Sequence, residues 1–387
     1  MHVPTPPNCR PIFLDYQSTT PVDKRVVEAM LPYFTLMYGN PHSVEHVFGI
    51  ESHEAVERSK ASLAAPLGAT PDDLVLTSGA TESNNLALRG LLPLRKKAHL
   101  VSCVIEHRSI TGTLSVLERE GHRVTLLPVD ADGLVDLETL EAAITPATGL
   151  VSIQAVNSEI GVVQPLRDIG QLCRTRGVPF HTDAAQAYGR LDIDVARDYV
   201  DLMSISAHKI YGPKGIGALY VAPRVREKLR AQITGGDQQG GMRAGTVPTP
   251  LAVGFGVAAG LMFAERDTEA PRLSALRNRL LEGLRGSFLH VHVNGSWDHR
   301  VAGNLNVGID GVDADSLLLA LRDLALSTGS ACSAGTLGSS SVLRAIGLSH
   351  AQASQSFRVG MGRMTTYDDV ECAIARLVAA AGRLEGG

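Results

Sequence analysis

The chain has 387 residues, of which 44% are apolar and 20% are charged, and its formal net charge is -4. This length allows two domains, or one large α/β domain with a smaller companion, and it allows a sizeable core. The nearly balanced charge gives no sign of a direct nucleic-acid or anionic-lipid partner. It favours a small ligand.

The cysteines are spread along the sequence without a C-x-x-C pair, at Cys9, Cys103, Cys173, Cys332 and Cys372. Their odd number and wide spacing argue against a zinc site and a disulfide framework, and they favour a reducing compartment. No signal-peptide core opens the sequence, and no stretch has the uncharged length of a membrane-spanning helix. We therefore expect a cytoplasmic protein with no membrane contact.

Between about residues 74 and 222, short apolar runs alternate with segments of helical spacing that end in glycine. Several runs are apolar nearly throughout, which is typical of parallel strands covered on both faces. This pattern predicts an α/β domain with a mostly parallel sheet and helices on both sides.

After a glycine-rich stretch at 234–246, a long helical region runs to about residue 286, and a shorter alternation of strands and helices follows. This change in the pattern of strands and helices predicts a smaller α+β unit. The sequence thus suggests a large domain over 19–260 and a small domain built from 1–18 and 261–387.

Ligands of open parallel sheets bind beyond the carboxyl ends of the strands, so the residues that follow each strand are candidates for a site. The stretch "TSGATESNN" places Ala80 and Thr81 at the start of a helix. Free backbone N–H groups and the helix dipole favour a phosphate there. An ordinary helix cap explains these residues equally well.

Four polar side chains follow other apolar strands: His107, Asn157, Asp183 and, one helical turn later, Gln186. An aspartate that ends an apolar strand must be protonated or paired with a cation. A single histidine at a strand end is more often an ordinary loop residue.

Lys209 ends another strand in "SAHKIYGPKG", beside Ser206 and His208. A desolvated lysine has a lowered pKa and becomes a nucleophilic amine that can form an imine, although a lysine taken alone is more often exposed. A phosphate site, an acid, an aromatic ring and an amine at one sheet edge are together the set that pyridoxal phosphate requires. The glycine order of "GPKGIGAL" does not fit a dinucleotide-binding turn, and no P-loop follows a strand.

The sequence closely resembles the cysteine desulfurases of the class V aminotransferase family, in the iron–sulfur cluster and nitrogen-fixation branch. Many motifs carry the resemblance in one order over nearly the whole chain, among them "LDYQSTTP", "TSGATESNN", "HTDAAQA", "SAHKIYGPKG", "STGSACS" and "FRVGMGR". The resemblance implies the aspartate aminotransferase-like fold of pyridoxal phosphate-dependent transferases, with a seven-stranded sheet in the large domain.

The resemblance also implies the role of each cofactor residue. Lys209 would hold the cofactor aldehyde as an imine, His107 would stack on the ring and assist proton transfer, and Asp183 would bind the ring nitrogen. Other cofactor contacts would come from Ala80, Thr81, Asn157, Gln186, Ser206, His208 and, from a neighbouring subunit, Thr246. A homodimer is therefore expected.

For the substrate, L-cysteine, the resemblance implies a carboxylate contact with Arg358 and further contacts with Asn40 and Asn157. Cys332, in a serine- and glycine-rich segment, would accept the sulfur as a persulfide and deliver it to a separate acceptor protein. The acceptor would serve iron–sulfur cluster assembly or a thio-modification of tRNA or DNA. No metal is expected, although His42 and His46 have helical spacing.

Two departures from the family pattern and several alternatives stay open. "GGDQQGG" has Asp237 where a glycine is usual and Gln239 in place of an acid. The ending "GRLEGG" lacks the extended tail that docks the family's scaffold protein. A selenocysteine lyase or aminotransferase of the same fold, and a non-catalytic scaffold or sulfur-carrier binding protein, are the competing interpretations.

Overall fold

The computed structural model describes residues 11–92, 97–329 and 340–384. Its strands are β1 Ile12–Phe13, β2 Leu74–Thr77, β3 His99–Cys103, β4 Arg123–Leu127, β5 Thr148–Ser152, β6 Phe180–Asp183, β7 Leu202–Ser206, β8 Gly217–Val221, β9 Val291–Val293, β10 Asn304–Ile309, β11 Leu324–Ala325 and β12 Ser356–Gly360. Its helices are α1 Lys24–Met30, α2 Pro32–Thr35, α3 Val47–Ala64, α4 Ala80–Gly90, α5 Arg108–Arg119, α6 Leu137–Ala143, α7 Leu166–Thr175, α8 Pro223–Arg226, α9 Thr249–Arg285, α10 Ala314–Ala320, α11 Ser341–Ala345, α12 His350–Ser354 and α13 Tyr367–Leu384.

A seven-stranded sheet forms the centre of the larger core, in the order β2-β8-β7-β6-β5-β3-β4. All neighbours pair in parallel except β8, which runs antiparallel to both β2 and β7. Every residue of β2, β3, β6, β7 and β8 is buried. This burial explains the apolar runs of strands such as β2 and β8, whereas β6 buries the polar residues His181, Thr182 and Asp183. The predicted fold class, a mostly parallel seven-stranded sheet with a smaller α+β unit, is confirmed.

The smaller unit has its own hydrophobic core. An antiparallel sheet in the order β12-β10-β9 and the short parallel pair β1-β11 pack with α10 and α13. The helix α9 joins the two cores, since residues up to Met262 pack in the larger one and residues from Leu276 pack in the smaller one. The suggested domain boundary at 260/261 therefore lies inside a continuous helix.

The cysteines differ from the expectation in one respect. Cys103 and Cys173 are free and buried, whereas Cys372 is disulfide-bonded. Sequence spacing did not predict this bond, because a disulfide requires closeness in the fold and not along the chain. Among the described residues, none of the helices combines the length and apolar character that crossing a membrane requires.

Gln239 forms hydrogen bonds with β2, the edge strand of the seven-stranded sheet. Its backbone has a left-handed φ of 54°, which turns the side chain toward β2. There the amide Oε1 accepts from Leu76 N at 2.5 Å, and Nε2 donates to Leu76 O at 2.9 Å. A glutamate has no donor for that carbonyl, so the departure from the family pattern has a structural reason at this edge.

We expect the substitution Gln239→Glu to lower the free energy of unfolding by about 1–3 kcal/mol, because Leu76 O loses its donor. Gln238→Glu is the matched control, since Gln238 uses only its Oε1, which accepts from Gly245 N at 2.9 Å. Urea denaturation of both variants measures the difference. Equal stability of the two variants would show that the edge contact is unimportant.

Candidate active site

A cavity of about 460 Å³ opens at the carboxyl ends of β6 and β7, where the sequence placed the site. Nine of the predicted site residues line it: Ala80, Thr81, His107, Asp183, Gln186, Ser206, His208, Lys209 and Arg358. The cavity therefore brings together residues that are far apart in the sequence. The most distant two, Ala80 and Arg358, are separated by 278 positions.

Lys209 follows β7 in a single turn of 3-10 helix and directs its amine to the segment that precedes α1. The Nζ atom donates to Gln17 O at 2.5 Å and to Ser18 O at 2.7 Å. Burial, together with the positive charges of Arg358 and Arg190, lowers the pKa of this amine to about 8. A fraction of the amine, roughly a tenth at pH 7, is consequently neutral and nucleophilic.

The lowered pKa of Lys209 predicts a stability effect in the protein without cofactor. Between about pH 8 and the ordinary lysine value of 10.5, the unfolded chain binds more protons at this position than the folded chain does. Unfolding free energy should therefore rise with pH through this window. We expect Lys209→Met to remove that rise, and thermal unfolding of both proteins from pH 8 to pH 10 measures the difference in slope.

Asp183 ends β6 and His107 follows β3, and both side chains line the cavity together with Lys209. Asp183 is buried, and its Oδ2 accepts from Asn84 Nδ2 at 2.8 Å while its Oδ1 accepts from Ala185 N at 2.9 Å. His107 caps α5 by accepting from Ser109 N at 3.1 Å. Burial lowers the pKa of this imidazole, so the ring is neutral at pH 7.

The side of the cavity that is formed by the start of α4 is suited to an anion. The first intrahelical hydrogen bond of α4 runs from Ser83 N to Gly79 O at 3.1 Å, so the N–H groups of Ala80 and Thr81 lie in the open first turn. His208 lies on the same side, and burial lowers its pKa to about 4. Backbone donors, a helix dipole and neutral polar side chains are a suitable environment for a phosphate.

Arg358, from β12, brings a buried positive charge from the smaller unit into the cavity. Its guanidinium donates to Ser158 O at 2.9 Å and forms an ion pair with Asp15 at 2.5 Å, while the buried Nε has no partner within the described residues. The side chain is only 1% exposed. An unsatisfied N–H on a buried guanidinium is costly unless a ligand accepts from it.

Three predicted site residues do not line the cavity. Asn157 donates to Ile105 O at 2.9 Å and accepts from Glu159 N and Ile160 N, so its amide holds its own turn together. Asn40 and Thr246 are exposed at the surface of the single chain. A fourth predicted residue, Cys332, lies outside the described residues.

Several residues that line the cavity or lie beside it had no predicted role. Gln17, Ser18 and Thr19 line the cavity, and the backbone carbonyls of Gln17 and Ser18 accept from the lysine amine. Their stretch, "LDYQSTTP", carried a family resemblance but no chemical signal of its own. Asn84 is one helical turn after the predicted phosphate contact, and that spacing could have indicated its position near Asp183.

Glu106 is another buried group behind the cavity. Its Oε1 accepts from Gln154 N at 2.7 Å and from Cys103 Sγ at 3.3 Å. Burial, with a smaller contribution from the charge of Asp183, raises the pKa of this carboxyl to about 8. Glu106 is therefore largely protonated at pH 7, which limits the negative charge near the ring of His107.

The residues in the cavity fit pyridoxal phosphate. An amine with a lowered pKa, a buried carboxylate, a neutral imidazole and an open helix terminus match the aldehyde, ring nitrogen, ring face and phosphate of that cofactor. Among the described residues, no group of three histidine, cysteine or acidic side chains is arranged to hold a metal ion.

Comparison with known proteins places these features in a family. The Aminotransferase class-V domain matches residues 12–372. Cysteine desulfurase IscS of Rickettsia typhi is 49% identical over 366 residues, which cover 94% of this chain and 89% of the relative. The IscS protein of Rickettsia prowazekii is 48% identical with the same coverage.

Solved structures of similar proteins have the same fold. A NifS-like protein superposes with a TM-score of 0.89 at 31% identity and covers 96% of this chain and 99% of its own. SspA in complex with cysteine gives a TM-score of 0.82 at 38% identity, with coverages of 90% and 98%. DndA from Streptomyces lividans gives 0.76 at 37% identity, with coverages of 89% and 97%.

Proposed function

Because the chain belongs to the class-V aminotransferase family and is a pyridoxal phosphate-dependent cysteine desulfurase, we propose that it moves sulfur from L-cysteine through Cys332 to an acceptor protein. The observation that carries this proposal is the lowered pKa of Lys209 in a cavity that also contains Asp183 and Arg358. A cysteine complex has been solved for the related SspA, and this supports the same substrate here.

The chain's own groups would hold the cofactor in one orientation. When bound, pyridoxal phosphate supplies an electron sink that weakens bonds at the substrate's α carbon and neighbouring positions. Lys209 would bind the aldehyde, and the first turn of α4 would bind the phosphate together with Ser206 and His208. Asp183, oriented by Asn84 at 2.8 Å, would hold the ring nitrogen in its protonated form.

Two groups of the first cavity would transfer protons. The amine of Lys209 and the imidazole of His107 both have lowered pKa values because they are buried. Groups that are partly or wholly deprotonated at neutral pH can accept a proton from the substrate and return it later. The side chain of Gln186, fixed by its donation to Gln17 O at 2.8 Å, would contact the ring hydroxyl.

Cys332 would take the sulfur as a thiolate. A sulfur–sulfur bond forms between Cys332 and the substrate, the carbon–sulfur bond of cysteine breaks, and a proton replaces sulfur on that carbon to give L-alanine. The described free thiols are poor substitutes, because burial raises the pKa of Cys173 to about 12 and that of Cys103 well above its usual value.

Arg358 would bind the carboxylate of L-cysteine through its unpartnered Nε and an adjacent N–H group. We expect Arg358→Lys to lower kcat/KM by roughly 10²- to 10³-fold, because a lysine keeps the charge but cannot form the two-pronged contact. The effect should appear mainly in KM. Steady-state kinetics with L-cysteine measures it, and an unchanged KM would assign the carboxylate to another group.

We propose a homodimer that completes the site. Several large apolar side chains of the segment from α1 to α3 are exposed in the single chain: Leu31 57%, Phe34 56%, Leu36 71%, Tyr38 65%, Val44 58%, Val47 59% and Phe48 48%. An exposed apolar surface of this kind is typical of an interface. Asn40 lies within it, and a partner chain would bring Asn40 and Thr246 toward the ligands.

The sulfur acceptor would be a separate protein of iron–sulfur cluster assembly or of a tRNA or DNA thio-modification. The formal charge of -4 supports this indirect route, since it gives no basis for direct nucleic-acid binding.

The activity is tested with the holoenzyme and L-cysteine in a single turnover. We expect L-alanine and protein-bound sulfur in equal amounts, with the extra sulfur on Cys332 after alkylation and peptide mass spectrometry. Alanine formation without a persulfide, or transamination of cysteine with no alanine, would contradict the proposal and favour another class-V activity.

A further inference from the structure

A second cavity, of about 250 Å³, lies beside the first one and shares Gln17 with it. One side of the second cavity is the middle of α9, and the other is formed by the residues after β6 and before β10. Three arginines line it, Arg190, Arg266 and Arg300, together with the single acid Glu269.

Arg190 carries a positive charge without an acidic partner. Its guanidinium donates to two backbone carbonyls, Gln186 O at 3.1 Å and Lys209 O at 2.7 Å. Within the described part of the chain, no carboxylate lies at ion-pair distance from it. Burial lowers the pKa of Arg190, and the nearby Tyr211 and Glu269 oppose this shift only in part.

Arg300, on the opposite side of the second cavity, has contacts similar to those of Arg190. It is buried, and its guanidinium donates to neutral acceptors, which include Ser296 O at 3.0 Å and Asn304 Oδ1 at 2.9 Å. Burial lowers its pKa to about 9, with a smaller contribution from the charge of Arg277. No ion pair of Arg300 is found among the residues that the structure describes.

The acid of the second cavity forms its ion pair with Arg363, which does not line the cavity. Glu269 forms an ion pair with Arg363 at 2.5 Å, and Arg363 also pairs with Asp23 at 2.8 Å. Arg266 is 26% exposed and pairs only with Asp267, which is 86% exposed. Such a surface pair contributes little, so the second cavity keeps an excess of positive charge.

From this arrangement we propose that the second cavity binds a small aliphatic carboxylate. The guanidinium groups would hold the carboxylate, and Met262, Leu273 and Met361, which also line the cavity, would pack against the carbon chain. A volume of 250 Å³ equals that of roughly eight waters at about 30 Å³ each, which suits an acid of five or six carbon atoms.

The second cavity would communicate with Lys209 through Arg190, because that guanidinium donates to the lysine backbone carbonyl and its charge lowers the pKa of the amine. A carboxylate bound to Arg190 would offset this charge and raise the pKa of the amine. The proposal adds a regulatory ligand site to the proposed desulfurase and does not depend on the route of sulfur transfer.

The test is calorimetric titration of valerate into the holoenzyme at low ionic strength. We expect one saturable site per chain, and a roughly 10-fold or greater loss of affinity in Arg266→Gln, because a charge-assisted contact is removed. Arg285→Gln is the matched control, since Arg285 is exposed near the end of the same helix and outside the cavity. It should bind valerate as the unaltered protein does.

A second variant, Ala270→Leu, fills the second cavity without changing its charge and should also lose binding. Absence of a saturable site in the unaltered protein overturns the proposal. Binding of valerate by both variants as tight as by the unaltered protein also overturns it, because that result assigns valerate to the cavity that contains Arg358. Valeramide should not bind, and binding of this neutral amide as tight as that of valerate would rule out recognition of the carboxylate.

Discussion

Lys209→Ala should lower the rate of alanine formation from L-cysteine by at least roughly 10⁴-fold. The substitution removes both the covalent attachment of the cofactor and a proton-transfer group, and proton transfer by a positioned side chain alone is worth about 10²–10⁴ in rate. Lys214 also lines the first cavity, so its amine is the nearest candidate replacement that the variant tests.

The control for this variant is Lys228→Ala, since Lys228 is exposed and does not line the cavity. Both variants are assayed for alanine and for the imine absorbance of the cofactor. Lys228→Ala should keep the activity and the absorbance, and Lys209→Ala should lose both. Retention of imine absorbance in Lys209→Ala would mean that another lysine holds the cofactor.

The second large effect is expected for Cys332→Ala, which should bind the cofactor normally and release no sulfur. The two free cysteines of the described chain cannot replace Cys332, because burial keeps Cys103 and Cys173 protonated at neutral pH. Sulfide release in the presence of a thiol, together with alanine formation, measures the loss.

Cys173→Ala is the matched control for Cys332→Ala, because Cys173 lies in α7 and does not line the first cavity. It should keep the desulfurase activity and change only the stability of the protein. Full sulfur release by Cys332→Ala would exclude Cys332 as the sulfur acceptor and would favour the lyase interpretation.

The main features of the fold and most of the site could be predicted from local patterns. Strands such as β3 and β7 are buried along their whole length, so their apolar runs were a reliable signal. Because parallel strands end at one edge of a sheet, the positions of His107, Asp183 and Lys209 in the sequence were enough to bring them together.

Local sequence patterns did not predict the contacts between residues that are far apart in the sequence. The segment of Gln17 and Ser18 reaches the amine of Lys209 across 192 and 191 residues, and no periodicity encodes that approach. Asn157 was expected at the ligand, but an asparagine can also bind its own backbone two residues later. In the single chain that local interaction occupies the Asn157 side chain.

The balance of positive and negative charges in the interior could not be predicted from the sequence either. In the sequence, Arg190 and Arg300 are ordinary basic residues, and nothing nearby indicates that both would face a cavity without an acidic partner. The excess of positive charge in the second cavity arises from packing between α9 and distant loops. Gln239 is similar, since its contact with Leu76 joins residues that are 163 positions apart.

The central claim is that the amine of Lys209 holds the cofactor in the first cavity. The most direct measurement is borohydride reduction of the purified holoenzyme, followed by proteolysis and mass spectrometry of the peptides. The account predicts that one peptide carries the added mass of the reduced cofactor and that fragmentation places this mass on Lys209. Modification of a different lysine, or a holoenzyme that borohydride leaves unmodified, would contradict it.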